Sequence, residues 1–181
     1  MAPTPRRSLR GFTLVEMMAV VVIVGILAIV GISVLRNHAF GAKVTEATAM
    51  IQSIRAAEER WRAETTTYLN VSTDLTSWYP MGNPGRTKYH WVQTGGANAA
   101  QWQLLNPTAP TPVQWGYAVV AGKPGAALPT LQLVNAPTWP SAPQYHWYVI
   151  QAKGDVDEDG VAAYCAASSL SGEVACENAG E

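Results

Sequence analysis

Apolar and polar positions divide this chain into three regimes. Over residues 12–35 almost every position is apolar and the one charge is Glu16. At about 1.5 Å per helical residue, such a run reaches roughly 36 Å and can cross a hydrocarbon core of about 30 Å. Over 36–64 the pattern becomes periodic. Phe40, Val44, Ala47, Ile51, Ile54, Ala57 and Trp61 recur at intervals of three and four, which predicts one apolar helix face, with Glu58 and Arg62 as an i to i+4 pair on another. Thr65-Thr66-Thr67 is β-branched and has poor helix propensity, so the helix is expected to end there.

From Leu69 onward the helical period is lost. Pro and Gly punctuate residues 79–144, and segments 89–94, 115–121 and 145–152 are rich in aromatic or β-branched residues, the pattern of strands. Segments 161–168 and 172–178 flank Ser169-Leu170-Ser171 and predict a hairpin. Cys165 and Cys176 lie equally far from the middle of that turn, a spacing that suits a cross-strand disulfide. The expected fold class is α+β: a long N-terminal helix, half membrane-type and half amphipathic, packed on a small antiparallel sheet.

Charge adds direction. Arg6, Arg7 and Arg10 precede the apolar run with no acidic residue among them, which keeps the N-terminus cytoplasmic and sends everything after residue 36 across the membrane. An ordinary secretory signal would need a small-residue cleavage site just beyond its apolar region. Ser33-Val34-Leu35-Arg36-Asn37 offers none. Two cysteines in an exported chain favour a bridge, because the compartment beyond the membrane is oxidising in many bacteria.

The formal charge is −1, and without the three leader arginines the 9 remaining basic residues face 13 acidic ones, a formal charge of −4. No nucleic-acid partner is expected on that balance. Basic Arg86, Lys88, Lys123 and Lys153 occupy a stretch free of acids, whereas seven acidic residues and no Lys or Arg follow Lys153. Opposed faces on the head are expected from this, either as solvated surface or as complementary contacts between subunits. Trp78, Trp91, Trp102, Trp115, Trp139 and Trp147 are expected in the core, since a small sheet on a helix needs bulky filler.

Chemistry is sparse. His38, His90 and His146 are isolated in sequence, and neither a nucleophile elbow nor a phosphate-binding loop occurs. Asp155, Asp157 and Asp159 alternate before Gly160, like the first half of a calcium loop, but position twelve of an EF-hand would be Ala166. Structural calcium and a plain acidic turn both remain readings of that segment. No other cofactor is expected.

Glu16 is the anomaly in the apolar run, because a carboxylate at membrane depth is costly. Its context, a basic leader followed by Gly11, then Phe12-Thr13-Leu14-Val15-Glu16 and a membrane-length helix, resembles the class III signal of type IV prepilins and pseudopilins. Arg55-Ala56-Ala57-Glu58-Glu59-Arg60-Trp61-Arg62-Ala63-Glu64, followed by Tyr68, resembles the helix end of many of the same proteins.

The resemblance implies cleavage between Gly11 and Phe12, N-methylation of Phe12, and docking of Glu16 against the terminal amine of a neighbouring subunit. It also implies a leader at 1–11, a filament-core helix at 12–35, a spine at 36–64 and a β-rich head at 65–181. Implied partners are like subunits, a prepilin peptidase, an inner-membrane assembly platform and, before assembly, the lipid bilayer. The implied role is a pilus subunit, major or minor, on an extracellular fibre. The alternative is a type II secretion pseudopilin in the periplasm, and a membrane-anchored enzyme or binding module stands third. Many pilins have a proline late in the membrane helix where this chain has Ser33. Gly25 and Gly31 remain, and each weakens a helix by about 1 kcal/mol relative to Ala, so local melting in a filament is expected over 25–33.

Overall fold

The computed structural model describes residues 12–91, 95–96, 98–155 and 158–178, with side chains described for all of these but 32–40. Two compact units divide the chain, 1–39 and 40–181. Helix α1 runs through Leu14–Thr65 and a short α2 covers Ala99–Leu105. Four strands follow, β1 (Gly116–Gly122), β2 (Trp147–Gly154), β3 (Ala163–Ser168) and β4 (Val174–Glu177), in the order β1-β2-β3-β4 with every neighbour antiparallel. The architecture is α+β and pilin-like.

In the second unit the apolar stripe of α1 meets one face of the sheet. Ala47, Met50, Ile51, Ile54 and Ala57 are buried with Tyr117, Val119, Tyr148, Ile150, Ala152 and Cys165. Alternation along the strands sends the intervening residues to the opposite face, where Ala118, Trp147 and Val149 pack with Leu75 and Trp78 from the loops. Because loops cover this second face, β2 is buried along both sides. Gln151, a polar residue pointing that way, accepts the Gln132 N–H at 2.9 Å and donates to the Leu75 carbonyl at 3.4 Å. Those bonds offset the cost of its burial.

The tryptophans fill both cores. Trp78, Trp91, Trp102, Trp115 and Trp147 are buried, and Trp139 packs half-buried on the second cluster. Two glycines make room for two of them. A Cβ on Gly122 would lie 2.1 Å from the indole of Trp147, its register partner, and one on Gly154 would lie 2.7 Å from that of Trp115.

Four expectations change. Residues 89–91 are not a strand: Tyr89 exchanges one pair of bonds with Val113, at 2.8 and 2.9 Å, and the pairing stops. Trp91 turns instead into an aromatic cluster with Tyr79, Trp102 and Tyr117. Residues 92–94 lie outside the described residues. The strand expected at 145–152 begins at Trp147, and Tyr145 stays exposed.

Glu58 and Arg62 do not pair on an outer face. Glu58 lies seven residues after Ile51 and four after Ile54, which returns it to the buried face, and it is fully buried. Arg62 instead meets Glu59 at 3.7 Å and the Tyr68 hydroxyl at 2.9 Å. Nor do the charges of the head separate cleanly. Arg86 lines the same polar cleft as Asp155 and Glu158, and Lys88 lies 3.7 Å from Glu46 of α1.

Candidate functional site

The N-terminal segment begins with a local bond pattern that the residue types require. Phe12 is 73% exposed, and α1 starts two residues later. The Thr13 hydroxyl accepts the Glu16 N–H at 3.2 Å, and the Glu16 carboxylate accepts the Thr13 N–H at 3.4 Å. This is a capping box, in which two donors otherwise orphaned at a helix start satisfy one another's residues. The signal was present in the sequence as Thr-x-x-Glu immediately before the apolar run, and Thr13 is the site residue that reading by membrane depth alone passed over. The box also brings the Glu16 carboxylate back over the helix start, one residue from Phe12. Gly11 lies outside the described residues.

Beyond the cap, Leu14–Gly31 has mean hydropathy 2.7 and none of its residues is buried. By length and composition this helix can cross a membrane. Gly25 and Gly31 lie within the continuous helix, and a Cβ at either would meet open space. The backbone of Ser33 continues the same helix; its side chain is not among those described.

At the far end of the chain Cys165 and Cys176 are register partners across β3 and β4, with Cα atoms 4.1 Å apart and a disulfide of 2.07 Å between the sulfurs. The intervening turn is fastened to α1 by Arg55. Its guanidinium donates to the carbonyls of Ser168, Ser171, Gly172 and Glu173 at 2.9–3.0 Å. Arg60 does the same for the end of α2, donating to Leu105 and Asn106 at 2.8 and 3.1 Å. Glu46 accepts the Gln114 N–H at 2.7 Å. Nothing in the sequence marked these side chains as ties between the helix and distant backbone.

The acidic loop is divided. Asp159 accepts the Val161 N–H at 2.8 Å and so serves its own turn. Asp155 and Glu158 face a cleft of about 280 Å³ together with Asn83, Arg86 and Thr87, and one Asp155 oxygen is buried without a hydrogen-bond partner. Asp157 lies outside the described residues. Among the described residues no group of three His, Cys, Asp or Glu converges as a metal site.

A capped, exposed, membrane-length helix continuing into a helix that backs an antiparallel sheet defines the pilin-like class of proteins. Residues 6–32 match the prokaryotic N-terminal methylation motif. The chain thus joins a prepilin-type N-terminal signal to a pilin-like fold. Over 81 residues it is 38% identical to the type II secretion system core protein G of Pseudomonas aeruginosa, an alignment covering 44% of this chain and 57% of that protein. The chain thus spans little more than half the length of that relative. No solved structure matches.

Proposed function

We propose that the chain is a structural subunit of a type IV pilus, matured by a prepilin peptidase between Gly11 and Phe12, methylated on Phe12 and polymerised through its N-terminal helix. The observation that carries this is the unburied apolar segment Leu14–Gly31, which directly follows the methylation-type junction. Exposed to water it would cost on the order of 1.5–3 kcal/mol per large aliphatic side chain. Two environments cover it: a bilayer before assembly and the helices of neighbouring subunits afterwards. Glu16 neutralises the terminal amine of the neighbour in that dry core, where opposite charges attract strongly. The head stands outside the inner membrane, and the subunit is added by an inner-membrane platform.

A second reading, a pseudopilin of a type II secretion system, is favoured by the identity to core protein G. Antibody labelling of sheared surface fibres separates the two. Labelling along the shafts identifies a major pilin, labelling confined to tips a minor one, and unlabelled fibres with a periplasmic pool the pseudopilin. N-terminal sequencing of the same material tests maturation: a chain starting at Phe12 supports it, and an intact leader removes the filament role in either form.

A further inference from the structure

The buried face of α1 carries one carboxyl group. Glu58 Oε2 accepts the Leu69 N–H at 3.0 Å, while Oε1 is equally buried and has no hydrogen-bond partner. The chain between them turns back sharply. It leaves the helix through Thr66 at φ 65°, a left-handed conformation that strains a β-branched residue. The Thr66 N–H bonds the Arg62 carbonyl, the Asn70 side chain accepts the Ala121 N–H of β1 at 3.0 Å, and the next backbone tie to the sheet is the Ser72 N–H on the Val119 carbonyl. In the interval, Glu58 holds the backbone of Leu69 against the helix.

Among the described residues no charged group forms an ion pair with Glu58. On α1, the terminal nitrogens of Arg55 are committed to the hairpin carbonyls while its Nε is buried without a hydrogen-bond partner, and Arg62 and Glu59 both bond the Tyr68 hydroxyl. Glu59 repels a second negative charge. Tyr68 on the segment and Tyr148 on β2 complete the surroundings, their rings 4.7 Å apart, edge to face. A negative charge appearing on Glu58 keeps the Leu69 N–H, but desolvation by burial outweighs that one bond, and the way to water is release of the segment above it.

We propose that Glu58 is a proton-operated latch: its neutral carboxyl keeps segment 66–71 docked on α1, and its ionisation releases that segment while the sheet stays folded. The docked segment supplies Thr67, Tyr68 and Asn70 to a cleft of about 180 Å³ closed on the other side by Gly122, Lys123 and His146, and its release removes one wall of that cleft. The surface beside the end of the spine therefore changes with pH. Burial raises the carboxyl from 4.5 to about 8 in the closed form, whereas the released form has an ordinary carboxylate. The opening constant then rises about tenfold per pH unit between those values and levels off above them.

Amide hydrogen exchange on the full-length chain in detergent micelles, corrected for intrinsic rates and followed from about pH 5.5 to 9.5, tests the latch. Protection at Leu69 is expected to fall about tenfold per unit and flatten near the top of the range, with Ile150 of the central strand at least about tenfold better protected throughout. Glu58→Gln keeps an acceptor for Leu69 without a charge and is expected to give a flat profile. A flat wild-type profile, the same slope in Glu58→Gln, or equal exchange at Leu69 and Ile150 overturns the proposal. Should Glu58→Gln fail to fold, carboxyl NMR of the wild type decides. A Glu58 midpoint near the raised value supports the latch, and one in the ordinary carboxylate range overturns it.

Discussion

The Glu58 carboxyl group and the Leu69 N–H meet at 3.0 Å across the turn that ends α1. This contact belongs to a wider pattern, in which polar side chains of one helix, Glu58 neutral and the others charged, hold the backbone of the head. Glu46 binds at Gln114, Arg55 at the β3–β4 turn and Arg60 at the end of α2. Hydrogen bonds to charged groups contribute more than neutral ones, about 1.5–3 kcal/mol each, and their backbone partners can be of any residue type.

Global stability should decline as pH rises over the range where other carboxylates are already ionised. Glu58 in the folded chain is raised to about 8 against 4.5, so the folded form holds the proton more tightly. Its contribution is intact below the unfolded value, is lost as pH climbs through the folded value, and is constant above that. The full span is on the order of 3–5 kcal/mol. Thermal melts of the detergent-solubilised protein should show Glu58→Gln matching wild type near pH 5 and exceeding it by several degrees near pH 9; equal melting at both ends would remove Glu58 as the source.

Arg55→Ala should loosen the disulfide hairpin without preventing its formation. Four carbonyls lose their donor, and a cost of about 2–4 kcal/mol is expected from the loss of charge-assisted bonds. The measurement is the rate at which dithiothreitol reduces the Cys165–Cys176 bridge, which should rise at least about tenfold. Arg55→Lys should recover little, because an ammonium cannot reach four carbonyls in a fork. An unchanged reduction rate in Arg55→Ala would mean that the turn holds itself.

Gly122→Ala should be far more damaging than an exposed glycine change such as Gly125→Ala. The new methyl would lie 2.1 Å from the buried Trp147 ring, and no flexible chain end is there to move aside. Overpacking of this kind costs about 1–3 kcal/mol or more. Denaturant midpoints compare the two variants directly. Gly125 has φ 78° and open space around it, so its smaller loss isolates backbone strain from collision.

Thr13→Ala and Glu16→Ala should part company in assembly. Both break the capping box and weaken the helix start by about 1 kcal/mol. If the carboxylate has a second role at the amine of a neighbour, only Glu16→Ala lowers incorporation into filaments, at equal levels of processed subunit in the membrane. Equal incorporation of the two variants would reduce Glu16 to a cap.

Calcium, if Asp155 and Glu158 share it, should stabilise the folded chain by mass action and relieve an orphaned oxygen. A calcium-dependent rise in melting temperature, smaller with magnesium and lost in Asp155→Asn, is expected. A melting curve indifferent to chelator leaves an acidic turn.

The sequence by itself determined the one-dimensional features of this protein. Apolar length over 12–35, periodicity along the spine, β-branched and aromatic runs at β1 and β2, and the symmetric placement of Cys165 and Cys176 are each carried by neighbours in the chain, so local spacing suffices to read them. Even the capping box of Thr13 and the inward position of Glu58 were legible as spacing, although a charge at a buried position runs against hydropathy. The tertiary structure alone decided what meets what across long separations. Tyr89 pairs with Val113 for one bridge because Trp91 then turns into the aromatic cluster. Arg86 comes to Asp155 and Glu158 through the folding of two loops, and Arg55 finds backbone carbonyls more than 110 residues away. Carbonyls and amides are the same in every residue, so a bond from a side chain to distant backbone leaves no mark in sequence until the fold brings the two together.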